Sequence, residues 1–146
     1  MTKSDEAPIE PSFSRGSKLP TQSPLYWVSQ KDRYLRQTMT RDIEEMTGRL
    51  FVVYLANGFR IEPGIDVADR ASMTELFGDV GSDEPVDLLI ETNGGETDST
   101  EAVIAILQNR LSDLRVIAAN AAKSNGTLIC LAAKKIVMGP SSELGD

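Results

Sequence analysis

The sequence predicts an α/β domain in which a parallel sheet is packed with covering helices. Three features carry that expectation: short, nearly all-apolar runs of strand length, intervening segments with helical spacing, and glycine-bearing turns at the junctions. Strand–helix alternation is the pattern of parallel crossover units, and all-apolar strands suit a sheet covered on both faces.

Residues 1–24 are rich in Ser, Thr, Pro and charge, with scattered apolar side chains. Such a segment cannot bury enough surface to offset its chain entropy, so a disordered tail is expected there and a single domain over 25–146. Order is expected from about Tyr26. After Ser29, a candidate N-cap, Leu35, Met39, Ile43 and Met46 recur at helical spacing, and Gly48 supplies a stop. Packing on its own domain is the simpler use of this amphipathic helix; docking to a partner is the alternative.

Leu50–Ala56 reads as the first strand, Asn57–Gly64 as a loop and Val67–Phe77 as a helix. Beyond a Gly/Ser/Asp/Pro linker come a strand over Val86–Glu91 and the tight turn Asn93-Gly94-Gly95. A helix over Asp98–Leu111 follows, with Ala102, Val103, Ile106 and Leu107 on one face. Arg115–Ala119 is the third strand, Asn125–Ala133 a helix and Lys135–Met138 the fourth strand. Only GPSSELGD comes after it. A fourth parallel strand ordinarily leads into another covering helix. The favoured expectation is therefore an N-terminal part of a longer protein, ahead of a face covered by a neighbouring subunit.

Composition excludes several kinds of chemistry. The formal charge is −7 and no Lys/Arg stripe offsets it, which disfavours nucleic acid as a partner. The lone Cys130 leaves no internal disulfide and no multi-cysteine metal site; inside a helix it reads as core packing. Histidine is absent from all 146 residues, which removes the commonest general base and the commonest zinc ligand together. No metal or cofactor is expected. The longest apolar run, LFVVYLA, falls well short of the roughly 20 residues that span a bilayer. MTKSDEAPIEP lacks the apolar stretch of a secretory signal, so the expected location is the cytoplasm.

In open parallel sheets, functional groups gather at the carboxyl ends of strands. Two such ends carry unusual residues, TNGGETDS after the second strand and AAKSNGT after the third. In the latter, Ser124 stands between strand and helix, with Ala122 two residues before it and Gly126 two after. Small residues at those positions allow a sharp turn that exposes the middle side chain, the steric logic of a nucleophile elbow in the form A-x-S-x-G. The backbone N–H of Asn125 would then point toward a tetrahedral oxyanion. The simpler reading makes Ser124 the N-cap of its helix. Gly94 and Gly95 are adjacent glycines that leave amides unshielded; they can supply a second oxyanion donor and a strip of backbone for an extended substrate. Read alone, Asn93-Gly94-Gly95 is only a turn.

The stretch VDLLIETNGGETDSTEAVIAILQNRLSDLRVIAANAAKSNGTLICLAAKKIVMGPSSELG resembles the serine dehydrogenase proteinase family, relatives of Clp and signal-peptide-peptidase-A proteases. In that family a strand runs into a P-G-G turn. A helix, another strand, an A-x-S-x-G-T-L-I nucleophile turn and an I-V-M-x-P-x-x-x-L-G segment follow. The match covers Val86–Gly145 well and reaches more loosely to about Tyr34. The resemblance implies a Clp/crotonase-like fold and peptide-bond hydrolysis through an acyl-enzyme. By position, Ser124 is then the nucleophile, and Gly94 or Gly95 with the Asn125 amide form the oxyanion hole. It also implies a peptide or protein substrate and homo-oligomeric assembly.

The chain departs from the family at three places. Asn93 replaces the proline, Asn125 replaces a smaller residue, and Glu91 stands where many relatives have histidine. The Clp histidine and the signal-peptide-peptidase lysine both lie downstream of the serine, at positions beyond Asp146. Of the residues present, Lys123 adjoins Ser124 on a turn where neighbours point apart. Lys134 and Lys135 lie a helix away, roughly 15 Å at 1.5 Å per residue. Glu91 and Glu96 are carboxylates with weak basicity toward a serine hydroxyl, and Glu96 and Asp98 suit the start of their own helix. Three readings follow: a serine endopeptidase whose base is not in this chain, a non-catalytic binding or assembly subunit, and an acyl-CoA-handling relative. The last has no need of Ser124 and lacks any adenine-binding feature.

Overall fold

The structure, a computed structural model, describes residues 23–56 and 64–146. The chain divides into two compact units, Met1–Met46 and Thr47–Asp146, each described by itself. Expectations for the tail at 1–22 and the loop at 57–63 lie outside the described residues.

The first unit is helix α1, Pro24–Thr47, whose last residue lies across the division. It starts ahead of the expected Ser29. Ser23 accepts the Tyr26 N–H on its hydroxyl at 3.2 Å, and proline suits the first helical position because its missing N–H has no intrahelical partner. Ser29 instead donates its hydroxyl to the Leu25 carbonyl at 3.0 Å. Gln30 is non-helical (φ −126°, ψ 23°) and kinks α1, so the expected helix corresponds to the segment after the kink. Trp27 and Tyr34 pack across it with ring centroids 4.0 Å apart and planes tilted by 55°.

The second unit contains a five-stranded sheet. Strands β1 (Leu50–Ala56), β2 (Val86–Thr92), β3 (Leu114–Lys123) and β4 (Lys135–Met138) lie side by side in chain order, all parallel. Helices α2 (Val67–Leu76), α3 (Thr97–Arg110) and α4 (Asn125–Leu131) form the crossovers. Helix α2 opens with a capping box, Asp66 accepting the Ala68 N–H at 2.7 Å and Asp69 accepting the Asp66 N–H at 2.8 Å.

The sheet departs from expectation in three ways. Helices α2, α3 and α4 touch in series, over a buried face that includes Val52, Leu88, Ile90, Val116 and Ala118. The opposite alternation leaves Val53 and Leu55 exposed, 46% and 58%, so this unit's helices cover one face rather than two. Strand order that never reverses, joined by crossovers of one hand, puts every crossover on the same side. Second, β3 runs on through Lys123, four residues past its expected end. From Ile90 to Thr92 β2 advances two residues while β3 advances four, from Ala118 to Ala122. This bulge lifts the strand tip beyond β4. Third, the tip gains its own partner: β5, Glu143–Gly145, pairs in parallel with Ala121–Lys123.

At the opposite end of the strands, Asp87 is fully buried between two guanidiniums. Arg49 donates Nε to Asp87 Oδ1 at 2.5 Å, and Arg115 donates Nε to the same oxygen at 2.8 Å and Nη2 to Oδ2. Arg49 also reaches Asp113 Oδ2 at 2.8 Å. This cluster ties the entry points of three strands together, on the far side of the sheet from the carboxyl-end loops.

Candidate active site

The carboxyl ends of β2 and β3 bring Gly94, Gly95, Ser124 and Asn125 together. Ser124 has φ 49° and ψ −123°, and among the described residues it is the one non-glycine with positive φ. A side chain in that region is strained, and the neighbours explain how it is held. A Cβ on Gly126 would lie 2.3 Å from Thr92 Cγ2, so only glycine lets α4 start this close to β2. Ala122 is fully buried. The Ser124 N–H donates to the Gly145 carbonyl at 2.7 Å. Gly145 in turn donates its N–H to Thr127 Oγ1 at 2.8 Å, and Thr127 Oγ1 donates to the Ala122 carbonyl at 2.7 Å. Strand β5 thus grips the elbow from both sides of the serine.

The Ser124 side chain is exposed and makes no capping hydrogen bond to its helix, so the simple N-cap reading does not describe its hydroxyl. Its closest neighbour across the site is the double-glycine turn. A Cβ on Gly94, where φ is 107°, would sit 2.8 Å from Ser124 Cβ, 3.1 Å from Oγ and 3.4 Å from the Asn125 nitrogen. Glycine is required there for backbone to approach hydroxyl. Gly94 donates its N–H to Thr92 Oγ1 at 3.0 Å. The N–H groups of Gly95 and Asn125 meet no acceptor among the described residues.

Gly95 is pressed against Ile65, where a Cβ would come within 2.2 Å of the Ile65 nitrogen. Ile65 pairs with it in parallel, donating N–H to the Gly94 carbonyl at 2.8 Å and accepting the Glu96 N–H at 2.9 Å. The Gly95 carbonyl accepts Asn125 Nδ2 at 2.6 Å. The edge of the turn that carries the Gly94 carbonyl and the Glu96 N–H is therefore already paired with Ile65. Neither the Ile65 pairing nor the Asn125 side-chain contact has a local sequence signature.

Candidate bases near the serine are engaged elsewhere. Lys123 Nζ pairs with Glu143 Oε2 at 2.8 Å, which holds the Glu143 carboxyl below its usual range. Glu96 Oε2 accepts the Ser99 hydroxyl at 2.8 Å in the first turn of α3. Cys130 is buried in the core, and desolvation pushes its thiol up to about 11. Among the described residues, no group of three or more His, Cys, Asp or Glu is placed to hold a metal ion. No described helix is long and apolar enough to cross a membrane.

A consecutive parallel sheet with an exposed serine on a strained strand–helix elbow, facing a double-glycine turn, defines the class of ClpP-like α/β proteins. The family model of the ClpP-like SDH-type serine proteinases matches residues 37–146. The chain belongs to that family. It is also similar to two uncharacterized proteins of Methanocaldococcus jannaschii. With MJ0137 it is 33% identical over 88 residues, 60% of this chain and 31% of that protein. With MJ1495 it is 30% identical over 110 residues, 75% of this chain and 37% of that protein. The chain thus spans about a third of the length of the curated relatives it matches. No solved structure matches it.

Proposed function

We propose that the protein is a serine endopeptidase in which Ser124 Oγ attacks the scissile carbonyl of a peptide substrate. The observation that carries this reading is the close approach of the Gly94 turn to Ser124 Oγ and the Asn125 nitrogen, 3.1 and 3.4 Å from a notional Cβ. As Oγ bonds to carbon, a base takes its proton and the carbonyl oxygen becomes an oxyanion. The N–H groups of Gly95 and Asn125 receive it, while Gly94 provides room for the approach. Collapse breaks the C–N bond, the protonated base gives its proton to the departing amine, and water hydrolyses the acyl-enzyme.

The base in this proposal lies outside the 146 residues, in further sequence of the kind the longer relatives have or on a neighbouring subunit. That fits the lack of histidine and the engagement of Lys123 and Glu96. Homo-oligomeric assembly, a protein substrate, a cytoplasmic location and a single Clp-like domain over 25–146 complete the reading. The same missing base favours a second reading, a binding or assembly subunit that keeps the fold without turnover.

A fluorophosphonate probe separates the two. In the full-length, assembled protein it is expected to modify Ser124 and to leave Ser124→Ala untouched. A folded, assembled sample that resists the probe supports the non-catalytic subunit.

A further inference from the structure

We propose that the Asn125 side chain is a positioning residue that fixes the Gly95 and Asn125 N–H groups relative to each other; this rests on the peptidase reading. The two amides come from loops 30 residues apart, and one of those loops is a pair of glycines. Glycine is the most permissive backbone residue, so an amide donor carried by Gly95 is poorly oriented unless something restrains it. An oxyanion site depends on donors fixed before the charge develops.

Asn125 supplies the restraint from the residue that carries the other donor. Its Nδ2 donates to the Gly95 carbonyl at 2.6 Å and lies 3.4 Å from Thr97 Oγ1, reaching the turn and the first residue of α3 together. On the other flank, Ile65 holds the Gly94 carbonyl and the Glu96 N–H. Beside the N–H that serves as donor, Gly95 has its carbonyl as a polar handle, and Asn125 holds it. An apolar side chain at position 125 would leave Gly95 gripped from the Ile65 side alone.

The test uses the full-length protein and three readouts: the rate of fluorophosphonate labelling, affinity for a peptide aldehyde that forms a tetrahedral adduct, and affinity for the matching product peptide. Asn125→Ala is expected to slow labelling by about tenfold or more and to weaken the aldehyde similarly, with product-peptide affinity unchanged. Asn125→Asp turns an acceptor toward the Gly95 carbonyl when ionised and a donor when protonated. Its labelling rate relative to wild type should therefore recover as pH falls toward the ordinary aspartate range near ~4. Wild-type labelling with an Asn125→Ala rate equal to it overturns the latch alone; so does equal loss of aldehyde and product affinity. If Asn125→Ala does not fold, a flat Asn125→Asp ratio across pH overturns it. Failure to label the wild type overturns the peptidase reading and this inference with it.

Discussion

Gly126 meets Thr92 where no side chain fits: a Cβ on the glycine would lie 2.3 Å from Thr92 Cγ2. The same threonine accepts the Gly94 N–H on Oγ1 at 3.0 Å, so one β2 residue sets the position of both the elbow and the glycine turn. Gly126→Ala is expected to destabilise the protein by about 1–3 kcal/mol through overpacking. Adding Thr92→Ser removes Cγ2, keeps Oγ1 and should restore most of the loss. Thermal melts of the single and double variants decide it; equal Tm values for both would refute the contact.

Ser124→Gly should stabilise the protein. A non-glycine residue in this backbone region costs on the order of 1–3 kcal/mol, and the extra unfolded-state freedom of glycine takes back only about 0.5–1 kcal/mol. For an ordered unit of this size, each kcal/mol moves Tm by roughly 4–8 °C. The variant should melt higher and lose all probe labelling. A lower Tm would mean that the elbow carries no strain.

Asp87→Asn should be far more damaging, although it lies at the other end of the strands. It leaves the Arg49 and Arg115 guanidiniums facing a neutral amide in a buried site, a change that costs about 3–5 kcal/mol. Urea denaturation should show the loss, while labelling of Ser124 per folded molecule stays at the wild-type rate. A labelling defect in the folded fraction would tie the cluster to the site.

The thiol of Cys130 is held protonated by burial, its pKa pushed up from 9.0 to about 11. Because the folded value is the higher one, this group's contribution to stability is complete below pH 9 and lost as pH rises toward 11. Iodoacetamide at pH 8 should leave Cys130 unmodified in native protein and alkylate it in urea. Rapid native alkylation would show that the core around α4 opens readily.

The sheet was legible where local pattern and tertiary role coincide. Leu50–Ala56 and Val86–Glu91 are apolar enough to be strands in any context, and the A-x-S-x-G spacing encodes steric need directly, through buried Ala122 and the Gly126–Thr92 contact. What sequence left hidden depends on partners far along the chain. Glu143–Gly145 is too short to announce a strand, and it becomes one because the lengthened tip of β3 offers it an edge. Asn125 stood out as a polar departure from its family, but nothing local points to a carbonyl 30 residues upstream. That α2, α3 and α4 all lie on one face was missed because apolar alternation tells which residues avoid water, not which neighbour shields them.

The grip of β5 on the elbow has a consequence for synthesis. Gly145 lies 21 positions after Ser124 (145 − 124), and its carbonyl receives the serine N–H. At translation speeds of about 5–20 residues per second, that interval lasts on the order of one to a few seconds. A growing polypeptide therefore carries its strand–helix elbow unbraced until the segment that holds the serine N–H has been made.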